Sequence, residues 1–167
     1  MSPIGKSTVI KIERQQGGLS YQTEPLPVDT EVTGDPVAHL WIRTRAADTL
    51  AMVWIDDVAP DGSATSYQML GRLLASDRAL GKSPYDNLDL PWHGFLKKDA
   101  TPLPPGQASE LVFELLPMSY LFKAGHRIRA TVTFTDPGGR TDGVPPVELL
   151  TGGSTSSYVV LPIVPVS

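Results

Sequence analysis

Glycine and proline limit what this chain can fold into more than any other feature of its sequence. They number 15 and 16 among 167 residues, close to one residue in five. Proline breaks helices, and both residue types supply the backbone angles that tight turns require. This frequency is typical of short strands joined by many turns, and it argues against a helical bundle.

Apolar and polar residues alternate along most of the chain, which is the pattern of half-buried strands. In residues 126–134, Ile128, Ala130, Val132 and Phe134 alternate with Arg127, Arg129, Thr131 and Thr133. This alternation predicts one face on a core and one face toward water. Further strands are predicted at 109–115 and at 158–164, and we expect the latter at a sheet edge because Pro162 cannot donate a backbone hydrogen bond. Strands are also predicted at 37–45 and 50–58. Both faces of these two are apolar, so we expect them in the middle of a sheet.

Turns and loops account for the remaining segments. Residues 59–63 (Ala-Pro-Asp-Gly-Ser) predict a hairpin turn, which we expect the Asp57 side chain to order. Two long loops are predicted at 81–105 and 137–153, one short helix at 73–80, and a first strand at Thr8–Ile12. With no internal repeat or dividing linker, the sequence predicts one all-β domain, a β-sandwich of roughly eight to ten strands.

Charge and composition exclude several function classes. The net charge is −4, without the clustered basic face that nucleic acids require. The absence of cysteine excludes disulfides, thiolate metal sites and a cysteine nucleophile. We expect no secretory signal and no membrane contact, because the start of the chain lacks an apolar run and no run approaches membrane-spanning length. A cytoplasmic location is the resulting expectation.

Catalytic and cofactor motifs are not completed. Gly62-Ser63-Ala64 and Gly153-Ser154-Thr155 approach the nucleophile elbow Gly-x-Ser-x-Gly without forming it. No glycine pattern matches a phosphate-binding loop. The histidines His39, His93 and His126 are far apart in sequence, so we expect local hydrogen bonding, with no metal and no cofactor.

A group of aromatic residues in the first long loop is the candidate for ligand or interface contacts. It comprises Tyr85, Trp92, His93 and Phe95. Three interpretations stay open at this point. The group could stack on a sugar, pack on a neighbouring domain, or fasten the loop to its own sandwich.

One segment resembles a known family. Residues 116–129 read Leu-Pro-Met-Ser-Tyr-Leu-Phe-Lys-Ala-Gly-His-Arg-Ile-Arg, similar to a hallmark of the C-terminal non-catalytic domain of X-Pro dipeptidyl-peptidases, cocaine esterase and α-amino acid ester hydrolases. Supporting strings follow the same order at 19–26, 32–36, 48–49, 57–62 and 103–106, and the resemblance extends to residues 161–165.

The resemblance implies a jelly-roll sandwich of the galactose-binding-like kind over residues 19–167, with 1–18 as a lead-in or linker. It also implies a partner, an α/β-hydrolase domain that holds a Ser-Asp-His triad, so no residue here inherits a catalytic role. Structural roles are implied for the motif residues Asp57, Pro60, Asp61, Gly62, Phe122, Gly125, His126 and Arg127.

The function expected from the resemblance is that of an accessory module of a serine hydrolase acting on peptides, esters or amides. The module would buttress the hydrolase domain, wall part of its substrate entrance, or join subunits into a homo-oligomer. The alternative is a free-standing module that binds a carbohydrate or another small ligand. A metalloenzyme built on the three histidines is the third hypothesis.

Overall fold

Strands dominate the computed structural model of this protein, which describes residues 11–15, 18–140 and 143–165. Eleven strands form within these ranges. They are β1 (Lys11–Gln15), β2 (Gly18–Gln22), β3 (Thr30–Gly34), β4 (Val37–Thr44), β5 (Leu50–Val58), β6 (Ala64–Leu74), β7 (Ala108–Glu114), β8 (Met118–Phe122), β9 (Arg127–Thr135), β10 (Val147–Leu150) and β11 (Tyr158–Val160).

The strands form antiparallel sheets around a shared core. The first sheet has five strands in the order β1-β2-β9-β5-β6. In the second, β4 pairs with β7 along one side and with β11 and then β10 along the other. A short ribbon of β3 and β8 completes the architecture. The all-β sandwich and the central positions of β4 and β5 are therefore confirmed, while the jelly-roll connectivity stays a prediction.

The core follows the alternation of the central strands. Ala51, Val53 and Ile55 of β5 are fully buried, and Ile128, Ala130 and Val132 of β9 are 2% exposed. The face of β9 predicted to meet water is partly covered, because Thr131 is only 8% exposed and its hydroxyl lies 3.1 Å from that of Ser20.

Two predictions of secondary structure are wrong. Residues 73–80 do not form a helix: β6 continues to Leu74, and a single 3-10 turn follows at Ala75–Asp77. Leu73 and Ala75 are both buried, which is the spacing of a strand. The loop predicted at 137–153 contains β10, because Val147–Leu150 pairs with β4.

The predicted boundary at residue 18 stays a prediction. β1 lies within the proposed lead-in and pairs with β2 from Lys11 opposite Gln22 to Gln15 opposite Gly18. The strand predicted at Thr8–Ile12 falls mostly outside the described residues.

Candidate functional site

The long loop of residues 78–107 connects the 3-10 turn to β7 without any strand or helix of its own, as predicted for 81–105. Backbone hydrogen bonds tie its returning half to the sandwich: Thr101 N–H donates to the Ser76 carbonyl and Leu103 N–H to the Ala47 carbonyl, each at 2.8 Å. The Arg78 guanidinium reinforces this closure by donating to the Thr101 carbonyl at 2.6 Å. The loop is thus held at both ends.

His93 fastens the middle of the loop. Its ring is 6% exposed, with Nδ1 at 3.0 Å from the Asp77 carbonyl oxygen and Nε2 at 2.8 Å from the Val112 carbonyl oxygen. Carbonyl oxygens only accept, so a ring nitrogen that carries a proton donates to the carbonyl beside it. The residue joins the loop to the 3-10 turn and to β7, and neither nitrogen is available to a ligand.

The other aromatic candidates lie at the surface beside His93. Tyr85 is 61% exposed and meets the half-buried Trp92 edge to face, with ring centroids 5.2 Å apart. Phe95 is 65% exposed, and its ring centroid lies 5.6 Å from that of His93. The structure therefore brings all four predicted residues into one part of the loop, in two touching pairs.

Trp92 and Phe95 form a wall between two depressions. The first, which we call the edge groove, has a volume of about 580 Å³ and lies between this wall, β6 and the end of β7. The second, the outer groove, has a volume of about 460 Å³ and is lined by Leu80, Leu96, Lys98 and Asp99 on the other side of the wall. Both volumes lie within the range of ligand sites. The sequence identified the aromatic residues of the wall but did not predict the grooves, because the grooves depend on which strand edges the loop crosses.

A second cluster, formed by the motif residues, lies where β5 meets β8 and β9. The buried Asp57 carboxylate accepts hydrogen bonds from the Tyr120 hydroxyl and from Nδ1 of His126, both at 2.8 Å. The neighbouring Arg127 guanidinium donates to the Thr23 carbonyl at 2.9 Å, and Phe122 is fully buried. Sequence reasoning did not find Tyr120, although it lies inside the quoted motif.

The turn between β5 and β6 is ordered by Asp61, so the expectation that Asp57 orders it is wrong. Asp61 Oδ1 accepts from the backbone N–H of Ser63 at 2.9 Å and from its hydroxyl at 2.6 Å, which holds the pKa of Asp61 below its usual value. Gly62 has φ +85° and Gly125 has φ +82°, angles that favour glycine. The added Cβ of a residue at 125 would lie 3.6 Å from the Pro60 ring, so the two turns are neighbours.

The three histidines lie in separate environments. His39 stacks on Tyr158 with ring centroids 4.5 Å apart, and burial lowers its pKa more than Glu110 raises it. Within the described ranges, no three His, Asp or Glu side chains come together as metal ligands. The same ranges contain no helix long and apolar enough to cross a membrane.

The fold and these contacts define a β-sandwich domain with a long surface loop that is hydrogen-bonded to the sandwich and carries a group of aromatic side chains. A sequence profile of the X-Pro dipeptidyl-peptidase C-terminal non-catalytic domain matches residues 3–146. The chain therefore belongs to this family, as the resemblance implied.

Relatives and solved structures share the domain as part of longer chains. The chain is 41% identical over 120 residues to proteins of Mycobacterium bovis and Mycobacterium tuberculosis whose names assign them to the serine esterases, covering 71% of this chain and 19% of each relative. A CocE/NonD family hydrolase from Staphylococcus aureus superposes with a TM-score of 0.75 at 22% identity, over 96% of this chain and 34% of that one. An α-amino acid ester hydrolase superposes with a TM-score of 0.69 at 19% identity, over 93% of this chain and 27% of that one. This chain spans about a fifth of the length of the curated relatives.

Proposed function

We propose that this chain is the accessory domain of a serine hydrolase that acts on peptides, esters or amides. In this proposal it buttresses an α/β-hydrolase domain and walls part of the substrate entrance with the long loop. Family membership and the partial coverage of longer hydrolases support the proposal. The hydrolase domain, in the same parent chain or as a separate subunit, would hold the catalytic triad.

The observation that carries the proposal is the apolar outer surface of the loop. Five large apolar side chains there are between 51% and 76% exposed: Leu80, Tyr85, Leu88, Phe95 and Leu96. Single exposed apolar residues are ordinary, but a group of them in one segment marks a contact surface. An inter-domain contact of the usual size, about 600–1,500 Å², would cover such a group.

The backbone of the same loop supports a contact role. Leu88 and Asp89 both have φ +59°, and Phe95 has φ +49°. Left-handed angles are costly for side chains other than glycine and asparagine, by about 1–3 kcal/mol each, and they cluster where function requires a fixed geometry. A partner surface that covers Leu88 would offset part of this cost.

The first experiment asks whether the chain occurs with a hydrolase. An antibody to this chain and an active-site fluorophosphonate label are applied to the same gel of a source-cell extract. We expect the epitope on a labelled band far larger than 18.0 kDa, or on a chain that co-purifies with such a band. An unlabelled band of the chain's own size that co-purifies with no labelled hydrolase would contradict the proposal.

A second experiment locates the contact in the assembly identified by the first. Leu88→Asp places a charge on the loop surface, and Leu121→Asp is the matched control on β8, where the side chain is 44% exposed. We expect Leu88→Asp to lower the melting temperature of the hydrolase domain and Leu121→Asp to leave it unchanged. Equal behaviour of the two variants would contradict a contact through the loop. The free-standing module for a carbohydrate or another small ligand stays a prediction, which the absence of any hydrolase partner in the first experiment would favour.

A further inference from the structure

The edge groove exposes backbone groups of β6. This strand is at the edge of the five-stranded sheet, and its Leu70 carbonyl accepts from the Leu116 N–H at 3.1 Å, on the side away from β5. Backbone groups of alternate residues point the same way in an antiparallel ladder. The N–H and C=O of Arg72 therefore also point away from β5, and they have no hydrogen-bond partner in the part of the chain that the structure describes.

The walls of the groove are apolar and aromatic. Trp92 and Phe95 line one side, while Leu116, which is 60% exposed, lines the groove from the segment after β7. Phe113 and Leu115, also in the lining, are 3% and 1% exposed and belong to the core. An exposed strand edge beside apolar pockets is the arrangement by which proteins bind extended peptides as an added strand. The backbone supplies hydrogen bonds, and the pockets receive alternate side chains.

The shape of the groove is fixed before any ligand binds. Both ring nitrogens of His93 lie within 3.0 Å of backbone carbonyl oxygens, and the residue holds the Trp92 side of the wall. At the base, Gly71 allows the chain to pass closely, because an added Cβ there would lie 2.8 Å from the Glu114 carbonyl oxygen. A preformed groove binds with a smaller loss of conformational entropy than a flexible one.

Charge selects among peptides. Asp35, Arg72 and Glu114 line the groove, and none of these three side chains forms an ion pair with another described residue. Two carboxylates against one guanidinium leave the groove with an excess of negative charge. Complementarity therefore favours a peptide with basic residues.

We propose that the edge groove binds an extended peptide segment of a separate polypeptide, in which basic residues alternate with small apolar ones. The peptide adds a strand along β6 and bonds to the N–H and C=O of Arg72. Its apolar side chains enter between Trp92 and the exposed Leu116, and its basic side chains meet Asp35 and Glu114. This inference goes beyond the proposed function, whose contact surface lies on the outer side of the Trp92–Phe95 wall.

The test uses a peptide whose sequence is the same in both directions, so that it presents the same side chains whether it pairs parallel or antiparallel to β6. The probe is acetyl-Thr-Lys-Val-Thr-Val-Lys-Thr-amide, titrated into the ¹⁵N-labelled full chain. We expect saturable shifts that include the Arg72 amide. The control peptide is N-methylated at the central Val-Thr-Val, which removes backbone donors and keeps the side chains. We expect it to bind at least about fivefold more weakly, the effect of losing one hydrogen bond.

Three variants test the protein side. Arg72→Pro removes the groove-facing N–H without touching the β5 ladder, because proline is tolerated at an outward position of an edge strand. Arg72→Ala removes only the side chain. We expect Arg72→Pro to weaken binding at least about fivefold more than Arg72→Ala. Glu114→Lys should weaken binding of the lysine-containing peptide and strengthen binding of the same peptide with Glu in place of each Lys.

Several outcomes would overturn the proposal. They are no saturable binding of the probe at millimolar concentration, equal binding of the N-methylated peptide, or equal binding by the two Arg72 variants when both are folded by circular dichroism. A concentration-dependent dimer that Arg72→Pro abolishes in sedimentation would also overturn it, since the groove would then be occupied by a second copy of this chain. The peptide comparison needs no variant, so misfolding of Arg72→Pro leaves the test intact.

Discussion

Nδ1 of His126 lies 2.8 Å from Oδ1 of Asp57, joining two residues that are 69 positions apart in the sequence. The second carboxylate oxygen of Asp57 is taken by the Tyr120 hydroxyl at 2.8 Å. One buried side chain therefore connects the end of β5 with β8 and with the start of β9. This arrangement gives the Gly-His-Arg motif a structural purpose that requires no chemistry at His126.

Replacing Asp57 with alanine should destabilise the domain by about 2–4 kcal/mol, because the half-buried donors of Tyr120 and His126 lose a buried acceptor. The measurement is the free energy of unfolding from urea denaturation. Asp61→Ala is the control, since Asp61 orders an exposed turn, and we expect a smaller loss. A loss at Asp57 no greater than that at Asp61 would show that the buried cluster does not hold the strands together.

His93→Leu should loosen the long loop while the sandwich stays folded. The substitution removes the ring nitrogens that lie 3.0 and 2.8 Å from the Asp77 and Val112 carbonyl oxygens, and a carbonyl that loses its donor costs about 1–3 kcal/mol where it is shielded from water. The measurement is amide hydrogen exchange at Gly81, whose N–H donates to the Trp92 carbonyl at 2.9 Å. We expect exchange there to accelerate strongly, whereas His39→Leu, on the outer face of β4, should leave it unchanged. Unchanged exchange in His93→Leu would mean that the other backbone anchors suffice.

Gly71→Ala should destabilise the junction between β6 and the segment after β7. The new Cβ would lie 2.8 Å from the Glu114 carbonyl oxygen and 2.9 Å from Leu115 Cγ. Overpacking of this kind costs about 1–3 kcal/mol. Gly152→Ala is the matched control, because it has open space and an extended φ of −142°. The melting temperature should fall for Gly71→Ala and stay level or rise slightly for Gly152→Ala. Equal melting temperatures of the two variants would contradict the close approach.

Local pattern predicted the central strands well and the edges poorly. β5 has the predicted bounds of 50–58, because its apolar residues are numerous and the strand is paired along both edges. β6 was expected only as the second strand of the predicted hairpin, without bounds: residues 64–66 are exposed, and its pairing with β5 shifts register between Ile55 and Asp56. β3 and β8 are only five residues long, too short for a periodic signal. The loop aromatics were identified by composition, but the partners of His93 are backbone carbonyls that no sequence pattern marks.

Alkaline pH should reveal the burial of Tyr21, an aromatic residue of β2. Its hydroxyl has no hydrogen-bond partner among the described residues, and burial raises its pKa to about 12 from an ordinary value of 10.0. Above pH 10 the unfolded chain loses this proton while the folded chain keeps it, so rising pH favours unfolding. The contribution is fully present below pH 10 and is lost by pH 12, a change of about 2–3 kcal/mol.

The measurement is the free energy of unfolding of the wild type and of Tyr21→Phe at intervals between pH 9 and 12. Tyr21→Phe should equal or exceed the wild type at neutral pH, because it removes an unpaired buried hydroxyl. Between pH 10 and 12 the variant should lose less free energy of unfolding than the wild type, and the difference should reach about 2–3 kcal/mol. Tyr158→Phe is the control, since Tyr158 is 45% exposed, and it should follow the wild-type curve. Parallel curves for Tyr21→Phe and wild type would mean that Tyr21 ionises as readily in the folded protein as in the unfolded chain, and would contradict its burial between the sheets.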